Sequence, residues 1–300
     1  MLDPRLLRTF LAVCRSGSIS GAARTLNVSQ PAVSVAIAQL ERGLDSTLLA
    51  RSRQGVTPTP AGVALMRRAE MQEALLADAQ EAVALAKTGV RGPLRVGGTP
   101  GALVSLLPGA VARLEAQGSL SLTVVEATDA TLADLLRRGE IEVAIVTTEI
   151  EPPPPDISEV SIARDPFALI VGRAHEALGA RVTLRELMGL GWVLPRAAGA
   201  FHRQIQALFL AAEIPYPADV IRCDSLLASK AIVRQGRRVT LLPRGVVASE
   251  LSMGVLRAVH LSEGEITRSI GIRTLRGVRP STLATQFLAA IGVVVGHKQE

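Results

Sequence analysis

Over roughly its first third the chain places apolar side chains at helical spacing; beyond that, short unbroken apolar runs alternate with further helical stretches. An opening helix is predicted from about Pro4 to Arg15, with Leu6, Phe10 and Val13 on one side. Residues 18–44, SISGAARTLNVSQPAVSVAIAQLERGL, predict two short helices joined by a tight turn. Ser20 is the expected cap of the first, which carries Ala22, Ala23 and Leu26; Asn27 and Val28 occupy the turn, and Ser29 caps the second. Pro31 falls in a first turn, where its missing N–H costs little. In the second helix Val33, Ile37, Leu40 and Leu44 share one face, expected to be core, and Pro31, Ser34, Val35, Ala38 and Arg42 share the other. Small Ala22 and Ala23 let the helices cross closely, as a helix-turn-helix requires. An ordinary helical hairpin inside a larger domain has the same periodicity.

LLARSRQGVTPTPAG follows, with Gln54-Gly55 between β-prone pieces and Arg51 and Arg53 alongside, the pattern of a small basic hairpin. Such a hairpin beside a recognition helix is a wing suited to phosphate or minor-groove contact; a solvated surface turn is the competing reading of the two arginines. From Pro60 to Lys87 good helix formers dominate, predicting one helix of about 42 Å at 1.5 Å per residue. Leu65, Met66, Ala69, Leu75, Leu76, Ala79, Val83 and Ala86 form an apolar seam along it, and a second copy of the helix is the simplest cover. A homodimer is therefore expected.

After Gly89 and Gly92-Pro93 the texture changes. LRVGG, LSLTVVE and EVAIVTT, then FALIVG, WVLP, DVIRC and VTLLP, read as strands of two tandem α/β units with largely parallel sheets. Helices are expected around Thr183–Met188, His202–Ala212, Leu226–Gln235 and Pro280–Val295, and EPPPPD at 151–156 reads as a stiff surface turn. Tandem α/β units bind ligands in a cleft near strand carboxyl ends and helix amino ends, where backbone N–H groups favour anions. Thr99-Pro100-Gly101, Thr128, and Thr147 with Thr148 stand behind three successive strands, as a site for a small carboxylate would need. Each threonine taken singly is equally well a helix cap or a strand end.

Charge decides between hairpin and recognition motif. The chain is +6 overall, and residues 1–68 alone hold nine basic against three acidic side chains, so the remainder is neutral. A net positive charge confined to the paired helices is what a phosphate-binding module requires. Aromatic residues make up 2% of the chain and Phe10 is the only one in residues 1–90, which disfavours the stacking platforms used on single strands and leaves double-stranded DNA as the expected partner.

Two distant cysteines, Cys14 and Cys223, have no metal-ligand spacing and fit a reducing compartment. The amino terminus is a poor export signal and no long apolar span occurs, so a cytoplasmic protein is expected. An enzyme or an exported solute receptor is the alternative class. The receptor wants an export signal, and the enzyme wants a nucleophile–base pair or metal site, whereas His175, His202, His260 and His297 fall in no ligand spacing and GGTPG matches no phosphate-loop pattern. No catalytic residue, metal or cofactor is expected.

The stretch LLRTFLAVCRSGSISGAARTLNVSQPAVSVAIAQLERGLDSTLLAR, with GVTPTPAG at the foot of the long helix and VRQGRRVTLLP late in the chain, resembles the LysR-type transcriptional regulators over essentially all 300 residues. The resemblance implies an α/β multidomain protein: a winged helix-turn-helix (1–59), a dimerising linker helix (60–91) and a periplasmic-binding-protein-like effector module. That module's first subdomain would hold 92–164 and 268–300 and its second 165–267, the chain crossing near Asp165 and returning near Arg268. Family members assemble as tetramers of two dimers and change DNA bending when a small metabolite fills the cleft; an interrupted palindrome near a promoter, one half-site per recognition helix, is the expected binding site, and RNA polymerase is a further candidate partner. DNA contacts would fall to Ser29, Gln30, Pro31, Ser34, Val35, Ala38, Arg42, Arg51 and Arg53. By correspondence the effector, expected to be an organic anion, would meet Thr99, Pro100, Thr128 and Thr147 from the first subdomain and Pro195, Phe201 and His202 from the second; for His202 a helix-end surface position is the competing reading.

The chain departs from the family at Val35 and Ala36, where a basic residue and glutamine are common, at Leu49 in place of phenylalanine, and at Pro58, which should shorten the wing's second strand. Readout would then lean on Ser29, Gln30 and Ser34, on contact of Pro31, Val35 or Ala38 with thymine methyls, and on DNA deformability.

Overall fold

The computed structural model describes residues 2–52, 55–196, 200–264 and 266–292, with only the backbone of Ala200 and Phe201. Two compact units result: one holds the chain up to Arg95 with Ser119–Thr123 and Ala130–Glu142, the other holds Val96–Gly118, Val124–Asp129 and the chain from Val143.

The first unit opens with α1 (Pro4–Ser16), α2 (Ile19–Leu26) and α3 (Gln30–Gly43), each started by a side-chain cap. Asp3 accepts the Arg5 N–H, Ser18 that of Gly21 and Ser29 that of Ala32. The cap of α2 is thus Ser18 and not Ser20. Ile19 is buried, and drawing it into the first turn aligns it with Ala22, Ala23 and Leu26 on one stripe, which leaves Ser20 exposed. Asn27 closes α2 in the left-handed region at φ 55°, a conformation asparagine tolerates. Phe10, Val13, Ala22, Val33, Ile37 and Leu40 meet in one core.

A two-stranded antiparallel hairpin follows, β1 (Leu49–Ser52) and β2 (Gly55–Pro58), four residues each, with Pro58 paired to Leu49 at its end. Its turn residues Arg53 and Gln54 lie outside the described residues. Gly55, at φ +130°, lets Val56 donate to the Gly17 carbonyl at 2.8 Å; a Cβ there would stand 2.8 Å from that same oxygen. Helix α4 (Pro60–Ala86) then runs for 27 residues, capped by Thr59. Its apolar seam divides. Leu65, Met66 and Ala69 pack into the three-helix core, because this first part of α4 lies against α1, whereas Leu75, Leu76 and Val83 stay 54–68% exposed. Asp78 and Glu81, on another side of α4, pair with Arg95.

Beyond α4 come β3 (Arg91–Gly98), α5 (Pro100–Glu115), β4 (Leu120–Glu126), α6 (Asp129–Arg138), β5 (Val143–Thr148) and β6 (Ile157–Val171). Next are β7 (Arg181–Val182), β8 (Gly191–Leu194), α7 (Ala200–Ala211), β9 (Val220–Arg222), α8 (Leu226–Gln235) and β10 (Arg238–Pro243). Helix α9 (Ala248–Ser252), β11 (Arg257–Leu261), β12 (Thr267–Leu275) and α10 (Thr282–Ala290) complete the described chain. The sheet runs in the order β4-β3-β5-β12-β6-β10-β8-β9, with β11 joined to β6 and β7 to β11. Pairs β3/β5, β8/β10 and β8/β9 are parallel, but β12 and β6 are antiparallel to each other and to β5 and β10 respectively. The expected largely parallel sheet is therefore mixed: β6, fifteen residues long, and the returning β12 run in opposite senses through its middle. Asp165 and Arg268 are register partners on these two strands.

Alternate residues of β6, β8 and β10 serve two cores, which is why these strands read as continuous apolar runs. Leu169, Trp192, Leu194 and Leu241 join Phe209 on one side, while Ala168, Ile170, Val193 and Leu242 join Val233 and Val247 on the other. Two helix expectations need correction, and two strands were not anticipated. The helix expected around Thr183–Met188 is a single 3-10 turn, Arg185–Leu187: the Glu186 carboxylate accepts both the N–H and hydroxyl of Thr183 and closes the turn. Strand β7 has only two residues and β11, RAVHL, mixes charged and apolar positions, so neither reads as an apolar run. The final helix starts after Ser281, which caps it, and its described part ends at Ala290; residues 293–295 of the expected span lie outside the described residues.

Candidate DNA-binding face and effector cavity

On the first unit the outer face of α3 carries Gln30, Pro31, Val35, Ala38 and Arg42 exposed, with Ser34 half-buried. Ser29 is exposed as well, but its hydroxyl oxygen is engaged by the Ala32 N–H at 3.3 Å. Arg42 is folded along the helix, its Nε donating to the Ala38 carbonyl at 3.2 Å. Gln39, one turn beyond Val35, is exposed on the same side. It is a long polar side chain that the sequence reading did not single out, although its i+4 spacing from Val35 places it there. Arg51 is exposed on β1; Arg53 lies outside the described residues.

Two of the three acidic side chains in residues 1–68 are engaged by backbone N–H groups, and the third, Asp45, stays exposed just past the end of α3. The Glu41 carboxylate turns to the start of the hairpin and accepts the Leu48 and Leu49 N–H groups at 2.7 and 3.2 Å, and Asp3 is spent as a cap. Arg5, Arg8, Arg24, Arg42, Arg51, Arg67 and Arg68 remain exposed.

In the second unit a cavity of about 280 Å³ opens at the carboxyl ends of the strands and the amino end of α5. Of the predicted effector residues, Thr99, Pro100, Thr147 and Pro195 line it. Thr128 is exposed and its neighbour Asp129 takes the lining position. The Phe201 side chain lies outside the described residues. His202 is buried rather than at the surface: its ring sits 5.9 Å from that of Tyr216, away from the cavity wall, with Nδ1 unpartnered. Thr148 is turned aside and shares a 2.7 Å hydrogen bond with Ser161.

The remaining wall was not anticipated. Val193, Leu194, Cys223, Thr240, Leu242 and Arg268 all contribute to it. The rule that ligands meet strand carboxyl ends applies to β8, β9 and β10 as it does to β3 and β5, and would have found the first five. Arg268 has no such signal. It donates through Nη2 to Asp165 at 2.9 Å, both side chains being 8% exposed, and Asp165 also accepts the Gly245 N–H at 2.8 Å. Burial pulls the Arg268 guanidinium below its ordinary value, and Asp165 opposes that pull. Partial burial likewise raises the Asp129 carboxyl, against the nearby Arg273. Among the described residues no group of three metal-ligating side chains occurs, and no helix is long and apolar enough to cross a membrane.

The two cysteines differ in kind. Burial in the helical core, reinforced by the Glu70 charge, pushes the Cys14 thiol up to about 11, while Cys223 lines the cavity. Since the thiolate is the nucleophile, alkylation at pH 8 should label Cys223 well before Cys14, as peptide mass spectrometry would read. Faster labelling of Cys14 would contradict this placement.

A recognition-helix unit with an acid-depleted outer face, followed by an α/β module holding a ligand-sized cavity, defines a helix-turn-helix regulator. Residues 4–63 match the model of bacterial regulatory helix-turn-helix proteins of the lysR family, and residues 87–293 match that of the LysR substrate binding domain. The transcriptional regulator BbuR of Bordetella bronchiseptica is 30% identical over 297 residues, covering 96% of this chain and 90% of its own. GalR of Pseudomonas putida, also named a transcriptional regulator, is 26% identical over 299 residues, covering 98% and 75%. The chain belongs to the LysR family of transcriptional regulators. Its fold is shared with full-length OxyR of Pseudomonas aeruginosa (TM-score 0.65, 21% identity, 97% and 95% coverage) and with CbnR solved in complex with its target DNA (TM-score 0.63, 24% identity, 97% and 99% coverage).

Proposed function

We propose that this regulator grips an interrupted palindrome in double-stranded DNA with two copies of α3, one per half-site, and that a small organic anion in the cavity of the second unit controls it. The carrying observation is the outer face of α3: uncharged apart from Arg42, flanked by Arg24 and Arg51, and cleared of acids by the inward turn of Glu41. Base contact falls to Ser29, Gln30, Pro31, Ser34, Val35 and Ala38 with Arg42, and phosphate contact to Arg51 and Arg53 of the wing. Few of these donate long hydrogen bonds, so DNA deformability carries part of the specificity.

The domain limits that fit this reading are 1–59 for the DNA-binding unit, 60–91 for the linker helix, 92–164 with 268–300 for one effector subdomain and 165–267 for the other. Dimers form through α4, and tetramers of two dimers are the working assembly. CbnR was solved on its target DNA, and LysG of Corynebacterium glutamicum with bound effector Arg; we read the present chain as using both kinds of partner. Its working compartment is the cytoplasm, where promoter DNA and RNA polymerase are at hand.

Val35→Arg tests the orientation of α3. A guanidinium facing the groove should gain a phosphate or guanine contact, raising affinity, steepening the salt dependence of log K by about one unit, or shifting base preference by roughly 1–3 kcal/mol at one position. Binding titrations over a salt series measure all three. A variant indistinguishable from the wild type in affinity, slope and preference would place Val35 outside the groove.

A further inference from the structure

We propose that Arg268 is the anion-recognising residue of the cavity, and that the effector is a small monocarboxylate on an otherwise uncharged body. This rests on the effector-cavity reading above. Arg268 is the one basic side chain among the described residues lining the cavity. Every hydrogen bond described for its guanidinium runs through Nη2, to the Gly101 carbonyl (3.0 Å), Ser105 Oγ (3.1 Å) and Asp165 (2.9 Å). Nε is buried without a partner, and none is described for Nη1. A charged N–H donor left without an acceptor is costly, and a ligand that supplies one to Nη1 removes that cost.

Nη1 of Arg268 faces the first turn of α5. Nη1 lies 2.8 Å from where a Cβ on Gly101 would stand, so glycine is what allows the approach. Thr99 has the backbone of an N-cap, but its hydroxyl makes no capping bond, unlike Ser18, Ser29, Thr59, Ser225 and Ser281. Pro100 has no N–H, and that of Gly101 has no carbonyl within the helix to receive it. The Nη1 amino group of a guanidinium, a free hydroxyl and a helix-start N–H converge on one place, and all three donate to a carboxylate.

The rest of the wall limits the ligand to one such group. Val193, Leu194, Leu242 and Val246 are apolar, and Thr147, Gln204, Ser229 and Thr240 are polar but uncharged. The two other charged lining groups are acids already paired outward, Asp129 with Arg273 at 3.3 Å and Asp224 with Arg196 at 3.6 Å. A second carboxylate on the ligand would meet these acids with no cation left to receive it. The recognised molecule therefore carries one negative charge.

Full-length protein, treated with hexanoate, hexanamide, adipate, phenylacetate and phenylacetamide at millimolar concentration, gives two readouts: thermal shift and protection of Cys223 from alkylation. Hexanoate or phenylacetate should protect and stabilise, and the amides and adipate should bind at least about tenfold more weakly. In Asp165→Asn/Arg268→Gln, which keeps a neutral pair in place of the charged one, the carboxylates should weaken by about ten- to a hundredfold. Unchanged binding in that variant overturns the role of Arg268; amides equal to acids, or no protection by any monocarboxylate, overturns the ligand class. If the double variant does not fold, Arg268→Lys decides, since it keeps a cation for Asp165 but loses the planar fork that carries Nη1: hexanoate should weaken by about tenfold, and unchanged binding overturns the role of Arg268. An effector of another class that alters DNA binding yet leaves Cys223 alkylation untouched counts against the cavity itself, a separate failure.

Discussion

Placing glutamate at both Leu75 and Val83 should turn the protein into a monomer and weaken its binding to a two-half-site operator by roughly a hundred- to ten-thousandfold, the avidity lost when two linked contacts become one. Leu75, Leu76, Ala79, Val83 and Ala86 repeat at three- and four-residue spacing on α4, and the three large ones are 68%, 54% and 60% exposed. Fully burying a leucine or valine contributes about 1.5–3 kcal/mol, so a seam of this length left in water on both copies is a strong drive to pair. Glutamate at these positions removes the apolar contact and places charge in the seam. The winged unit should be untouched, because the α4 residues that complete its core are Leu65, Met66 and Ala69. Sedimentation equilibrium and operator titration read the two halves of the effect. A variant that stays dimeric means that the copies meet elsewhere.

Phe10→Ala should unfold the winged unit and abolish DNA binding while leaving the cavity intact. Phe10 is completely buried among α1, α2 and α3 and is the only aromatic ring in that part of the chain. Truncating a buried phenylalanine costs about 3–5 kcal/mol, a large share of the 5–15 kcal/mol that typically separates folded from unfolded domains and a larger share in a unit this small. A circular-dichroism melt should then show an early helical transition, with Cys223 alkylation at its wild-type rate. Loss of cavity protection in the same variant would mean that the two units stand or fall together.

The recognition motif was legible because periodicity, capping and charge all pointed the same way at residues 18–44. Even there the cap was misplaced, at Ser20 instead of Ser18, since both serines precede an apolar stripe and only the burial of Ile19 separates them. Strand identities in the second unit were legible for the same reason: β6, β8 and β10 are buried on both faces and leave unbroken apolar runs. Their direction was not, because the sense of a strand is set by how the chain crosses and returns, which apolar runs do not encode. The cavity was half legible. Thr99 and Thr147 announce themselves by following strands; Arg268 reads as one more surface arginine until Asp165 is found opposite it on β6, 103 positions away. His202 failed for the opposite reason: a polar residue near a helix start suggested a contact or a surface position, and the fold buried it against Tyr216.

Footprinting of the full-length protein on its own promoter DNA over a series of salt concentrations tests the central claim most directly. The expected result is protection of two related half-sites separated by about one helical turn or a multiple of it, with log K falling linearly as log salt rises. Uniform protection without sequence preference at moderate salt, or a single protected half-site for a dimeric wild type, would contradict paired recognition by α3.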